Sequence, residues 1–118
     1  GVLPVVDGSC PVGVDSALRV YRYRDAQRFK RHKDGVVMRD GMASRFSYLV
    51  YLNAGFEGGE TRFTFPTFPL GKRVDETLSV CPEPGMALLF EHDLWHEGVP
   101  VTEGCKYVLR TDVLYSRG

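Results

Sequence analysis

The sequence predicts an all-β fold, a double-sheet jelly roll of about eight strands with little or no helix. Apolar residues come in short or alternating runs, and a helical period is hard to find along the chain. Clusters of Gly, Pro and Asp cut these runs at intervals that suit strands. Eight strands at such a spacing fit two packed antiparallel sheets. With 118 residues, 43% of them hydrophobic and 12% aromatic, the chain has apolar material for one core, so one domain is expected.

In chain order the expected strands are LRVYRYR at 18–24, the run at 28–33, RFSYLVYLN at 45–53, ETRFTF at 60–65, the run at 76–81, MALLFE at 86–91, the run at 95–100, and CKYVLRTDVLY at 105–115. Their separators are turn material: DAQ, DGVVMRDG, AGFEGG, PTFPLGKR, PEPG and TEG. Residues 1–17, broken by Pro4, Gly8, Pro11 and Gly13, read as an irregular N-terminal segment, and 18–118 as the folded domain. Neither repeats nor linker-like stretches suggest a second domain. Gly58 and Gly59 mark a bulge or a close approach of backbones.

The 15 basic and 15 acidic side chains cancel, which removes an overall field toward nucleic acid or an anionic membrane. No apolar run approaches the roughly 18 residues of a membrane span. No signal peptide is visible, and the missing initiator Met reads as a mature or truncated domain. Cys10, Cys81 and Cys105 are an odd number in no metal-finger spacing, which argues against a disulfide framework or a zinc knuckle.

Strand alternation adds an expectation about partners. If Lys106 and Arg110 point inward, then Tyr107, Leu109, Val113 and Tyr115 point outward, and YLVYL at 48–52 is apolar on both faces. A sheet with two apolar faces needs cover on both. A partner chain or upstream helices are therefore expected on the outer face.

The chemistry-bearing pattern is FKRHKDG, where His32 and Asp34 stand two residues apart, followed by His96 in LWHEG. Residues i and i+2 of a strand share a face, so one strand end can offer an imidazole and a carboxylate to one point. A second imidazole from a distant strand then completes two histidines and one carboxylate, the facial set of non-haem Fe(II) sites with open positions. His92 competes as a ligand and Asp93 as the carboxylate, because both lie near the same loop. Trp95, adjacent to His96, is expected to pack on the opposite face.

Three longer segments together carry a resemblance: YRYRDAQRFKRHKDG, YLVYLNAGFEGGETRF and CPEPGMALLFEHDLWHEGVPVTEGCKYVLRTDVLY. Over about residues 18–115, in order and spacing, the chain resembles the Fe(II)- and 2-oxoglutarate-dependent dioxygenases, within them the prolyl 4-hydroxylase-like group. The resemblance implies a double-stranded β-helix with His32, Asp34 and His96 as Fe(II) ligands; it places the ligand in HEG, which makes His92 a surface residue or one behind the ligands. It implies 2-oxoglutarate and O2 as cosubstrates, with ascorbate as a further candidate cofactor. It places the cation for the distal carboxylate of 2-oxoglutarate ten residues after the second histidine, at Lys106, with Tyr23 first and Tyr51 second as hydroxyl partners. Arg110, on the same strand face, is the alternative anchor or the partner of Asp112 or of a substrate group.

The implied reaction is decarboxylation of 2-oxoglutarate to succinate and CO2 coupled to hydroxylation of a C–H bond. A peptidyl proline leads the substrate classes, ahead of other proteins or peptides and small molecules, and the loops at 35–44 and 66–75 are the candidates for choosing among them. Two other readings stay open: an inactive relative serving as a structural or assembly subunit, and a cupin-like metal barrel. The second usually draws two histidines from one HxH segment, whereas this chain has HxD.

Overall fold

The computed structural model describes residues 5, 6 and 8–116; the rest of the expected 1–17 segment and the end of 18–118 lie outside the described residues. The strands are β1 (Pro11–Val14), β2 (Arg19–Tyr23), β3 (Phe29–His32), β4 (Met38–Arg39), β5 (Met42–Tyr51) and β6 (Glu57–Gly58). They continue with β7 (Thr61–Thr67), β8 (Val74–Val80), β9 (Ala87–Glu91), β10 (Trp95–Gly98), β11 (Val101–Glu103) and β12 (Lys106–Tyr115). Among the described residues the only helical element is a short 3-10 turn at Pro69–Gly71.

β12 lies at the centre of the larger sheet, with β5 along one side and β1 and β2 sharing the other. The far side of β5 carries β4 and β9. The smaller sheet runs β3-β10-β7-β8, and β6 pairs with β11. All of these pairings are antiparallel. This is the jelly-roll arrangement that the spacing of turn residues predicts.

Each of the eight expected strands is present. The additional ones, β1, β4, β6 and β11, have two to four residues, too few for alternation to show in sequence. β1 falls within the stretch read as irregular. Pro11 is its first residue and it lies on a sheet edge, where a missing N–H costs no ladder bond. The β4–β5 hairpin turns on Asp40-Gly41, both at positive φ (49° and 77°), as a two-residue hairpin loop requires.

A bulge shapes the middle of the larger sheet. Phe46 faces Val113 but Ser44 faces Leu114, so β5 spends one extra residue, Arg45, against β12. Outward of this point Phe46, Val113 and Tyr115 form a buried cluster, with Val6 and Tyr48 packed against it. Farther along the same face Val20, Leu89 and Tyr107 stay exposed. Gly58 has φ +76°, and a Cβ there would meet the Pro100 carbonyl oxygen at 2.2 Å, so the β6–β11 pairing admits only glycine.

Candidate functional site

β10 runs between β3 and β7, and its register sets His96 directly opposite His32. Asp34 follows β3 by two residues and turns back toward both rings. His32 Nε2 lies 3.2 Å and His96 Nε2 3.5 Å from the same Asp34 oxygen, Oδ1. Neighbouring ligand atoms about 2.0–2.2 Å from one metal ion stand about 3 Å apart in an octahedron, close to these separations. All three ligand atoms lie within 4.8 Å of one another. The other ring nitrogen is engaged in each case: His32 Nδ1 donates to the Lys30 carbonyl at 2.6 Å and His96 Nδ1 to the Leu94 carbonyl at 2.9 Å. A carbonyl can only accept, so the proton sits on Nδ1 and the Nε2 lone pair faces the shared point.

Asp34 is held as a carboxylate. Burial pushes its pKa up, but the adjacent His96 ring, the Ser47 hydroxyl and the Arg110 charge outweigh that and hold it well below the usual range. Arg110 Nη1 lies 3.2 Å from Asp34 Oδ1, while Nη2 lies 3.5 Å from Asp112 Oδ1. Arg19 also reaches Asp112, at 3.2 Å. Arg110 is thus committed to two carboxylates, and its buried Nε has no hydrogen-bond partner. Phe90 stands edge-on to the His96 ring at 4.7 Å and Phe29 lies 4.0 Å from that of His32, so the metal point has apolar walls.

Lys106 opens β12 at the other end of the same cavity, which Tyr23 and Thr61 also line. It is 4% exposed and donates to the Gly59 carbonyl at 2.6 Å. Its ammonium lies 5.4 Å from the Tyr23 ring and 5.6 Å from the Tyr51 ring. Among the described residues no carboxylate lies within ion-pair distance of it. Burial pulls its pKa down to about 8, against the charge of Glu60. Gly59 makes room for it: a Cβ there would sit 3.1 Å from Lys106 Cδ, on a backbone with φ +71°. Burial, then Tyr21, pushes the Tyr23 phenol up against the pull of Arg110, so Tyr23 stays a neutral donor. Tyr51 is 1% exposed and its hydroxyl bonds Thr61; the phenols on the cavity wall are Tyr23 and its stacked neighbour Tyr21.

The structure brings His32, Asp34, His96 and Arg110 to one end of the cavity and Lys106 and Tyr23 to the other. Of the competing residues, Asp93 is exposed and pairs with Lys33. His92 is buried behind Asp34, where its ring nitrogens meet Ser44 and Ser47. Trp95 packs against the cationic groups of Arg31 and Lys33, at 4.8 and 5.2 Å from its ring, away from the ligand point. Sequence reading passed over Ser47 and Phe90. Alternation from Tyr51 through Leu49 does put Ser47 on the inner face, but nothing local marks a serine there as a carboxylate partner.

A donor set of two neutral imidazoles and one carboxylate suits Fe(II), and a buried, unpaired Lys106 across the cavity suits the far carboxylate of a keto diacid. No curated protein matches the sequence. Among solved structures the chain is similar to an oxidoreductase of the 2OG-Fe(II) oxygenase family from Burkholderia pseudomallei, at 20% identity and a TM-score of 0.64 over 86% of this chain and 42% of that one. It is similar to a prolyl-4-hydroxylase from Pseudomonas putida, at 24% identity and a TM-score of 0.58 over 81% and 50%. A viral collagen prolyl hydroxylase from Paramecium Bursaria Chlorella virus-1, in its 2OG complex, matches at 26% identity and a TM-score of 0.55 over 84% and 57%. The chain thus spans about half the length of these neighbours. With residues 18–111 matching the family described as the 2OG-Fe(II) oxygenase superfamily, the chain belongs to that superfamily.

Proposed function

We propose that this chain is the catalytic domain of an Fe(II)- and 2-oxoglutarate-dependent dioxygenase that hydroxylates a C–H bond, with a peptidyl proline as the leading substrate class. One observation carries the reading: two imidazole lone pairs and Asp34 Oδ1 share a point, and an unpaired buried ammonium stands across the same cavity. The proline preference is supported by two of the solved neighbours, which are described as prolyl hydroxylases.

His32, Asp34 and His96 would hold the metal. Lys106 would bind the distal carboxylate of 2-oxoglutarate, with Tyr23 donating a second bond. When bound, Fe(II) with 2-oxoglutarate and O2 supplies the oxidising power for hydroxylation, and 2-oxoglutarate leaves as succinate and CO2. The chain's own part is to orient these groups and keep water out. Lys106 orients the keto acid along the cavity, Arg110 balances Asp34 against Asp112, and Phe29 and Phe90 keep the metal end apolar.

The test is succinate release by the purified chain with Fe(II) and 2-oxoglutarate, with and without ascorbate, across proline-containing peptides and free small molecules. Turnover stimulated by a proline peptide is expected. Stimulation by small molecules alone would remove the proline assignment, and absence of succinate under all conditions would favour a structural subunit.

The exposed Val20, Leu89 and Tyr107 support a covering layer on the outer face of the larger sheet, from a partner chain or a helical segment. A Val20→Lys, Leu89→Lys double variant of this chain is expected to bind less of a hydrophobic dye and to self-associate less. Unchanged dye binding and unchanged sedimentation would show that this face does not need cover.

A further inference from the structure

Ser47 and His92 contribute nothing to the ligand set, yet both are buried behind it, at 0% and 5% exposure. Their hydrogen bonds run in one direction only. The Asp34 carboxylate can accept but not donate, so Ser47 gives its single hydroxyl proton to Asp34 Oδ2. The Ser47 oxygen is then an acceptor, and His92 Nδ1, 2.9 Å away, must carry the proton between them. This holds whether or not the far nitrogen of His92 is also protonated. That nitrogen, Nε2, lies 2.7 Å from Ser44 Oγ, which accepts the Val37 N–H at 2.7 Å.

The backbone closes the unit. His92 N–H donates to the bulged Arg45 carbonyl at 3.0 Å, and Asp34 N–H donates to the His92 carbonyl at 3.0 Å. His92 therefore holds Asp34 directly by its backbone and, through Ser47, by its side chain. The bulge makes this possible. Three residues apart on a regular strand, Ser44 and Ser47 would face opposite sides, whereas the extra residue Arg45 returns both to the inner face around one ring.

We propose that Ser47, oriented by His92, is a positioning residue for the metal-binding carboxylate. Ser47 occupies Asp34 Oδ2, so that only Oδ1 faces the two histidines and Asp34 serves as a one-oxygen ligand. The positions a two-oxygen carboxylate would take stay open for 2-oxoglutarate and O2. The inference rests on the dioxygenase reading given above.

Co(II) is the probe, because its visible spectrum reports coordination number and its binding can be measured without turnover. Ser47→Ala is expected to weaken Co(II) binding by about 10- to 100-fold, the usual effect of removing a bond that orients a ligand, and to change the Co(II) spectrum. Thermal unfolding of the metal-free variant checks that the fold is intact. Ser47→Thr should restore both signals, because it returns the hydroxyl. His92→Asn, whose amide N–H stands where Nδ1–H did, should retain them, whereas His92→Phe should behave as Ser47→Ala. Wild-type affinity and spectrum in Ser47→Ala would overturn the proposal while leaving the metal centre standing. Failure of Ser47→Thr to restore them would also overturn it, reducing Ser47 to packing. A wild-type chain that binds no Co(II) would remove the metal-centre reading and this proposal with it.

Discussion

Asp34→Ala is expected to lower turnover by about three orders of magnitude or more, and to abolish stabilisation of the chain by added divalent metal. A metal-bound oxidant typically supplies several kcal/mol to its reaction, and each ~1.4 kcal/mol is a factor of ten in rate. Asp34 is the only anionic ligand of the three, and its Oδ1 is the atom both histidines approach, at 3.2 and 3.5 Å. Two neutral imidazoles alone would neither hold the ion nor offset its charge. Removing the carboxylate also leaves the half-buried Arg110 with Asp112 alone and strips Ser47 of its acceptor, so some loss of fold stability accompanies the loss of metal. The check is paired: succinate release, and the shift of thermal unfolding on adding Mn(II), which is large for a ligand bound only by the folded state. His32→Ala and His96→Ala should behave alike. Activity kept in any two of these three variants would defeat the assignment.

Lys106→Ala is expected to raise the 2-oxoglutarate requirement by about 30-fold to several thousand-fold, with a smaller effect on turnover at saturating cosubstrate. Truncating one partner of a buried, hydrogen-bonded charge pair costs about 2–5 kcal/mol. Arg110 is a poor substitute, because its guanidinium is already divided between Asp34 and Asp112. An unchanged requirement in Lys106→Ala, together with a raised one in Arg110→Ala, would transfer the anchor to Arg110.

The pH dependence follows with a definite sign. The groups facing the Lys106 ammonium are Glu60, Tyr23 and Tyr51, and burial lowers its pKa from 10.5 to about 8. The bound carboxylate requires the protonated form, so affinity for 2-oxoglutarate, or for an inert analogue, should fall about tenfold between pH 7 and pH 9. The ligand-free fold responds in the opposite direction. Between about 8 and 10.5 the unfolded chain holds a proton that the native chain has released, so this group's contribution to stability rises with pH. Titrating affinity and unfolding on the same samples separates the two effects. Lys106→Arg, which stays protonated, should remove both slopes.

Part of the candidate site was legible because its signal is local: His32 and Asp34 share a face through a spacing of two, whereas Lys106, ten residues after His96, was marked only by the resemblance. The strands were legible for the same reason, since alternation and turn residues act within a few positions. β1 and β4 were not, because two to four residues carry no periodicity. His92 shows the limit clearly: its sequence surroundings suit a ligand, a surface position or a place behind the ligands, and its burial between Ser44 and Ser47 selects the last.

The amino-acid order by itself determined the all-β class, the sequence of strands and which residue types were available to bind a metal and an anion. Tertiary structure decided the rest. Register placed His96 opposite His32, the bulge at Arg45 turned Ser44 and Ser47 to one face, and the pairing of Arg110 with Asp34 and Asp112 left Lys106 as the cavity cation with no carboxylate at ion-pair distance among the described residues. The physical reason is that periodicity is set by neighbours along the chain. Pairing between residues more than sixty positions apart, and the loss of solvent that gives each charge its weight, exist only once the two sheets have closed on each other.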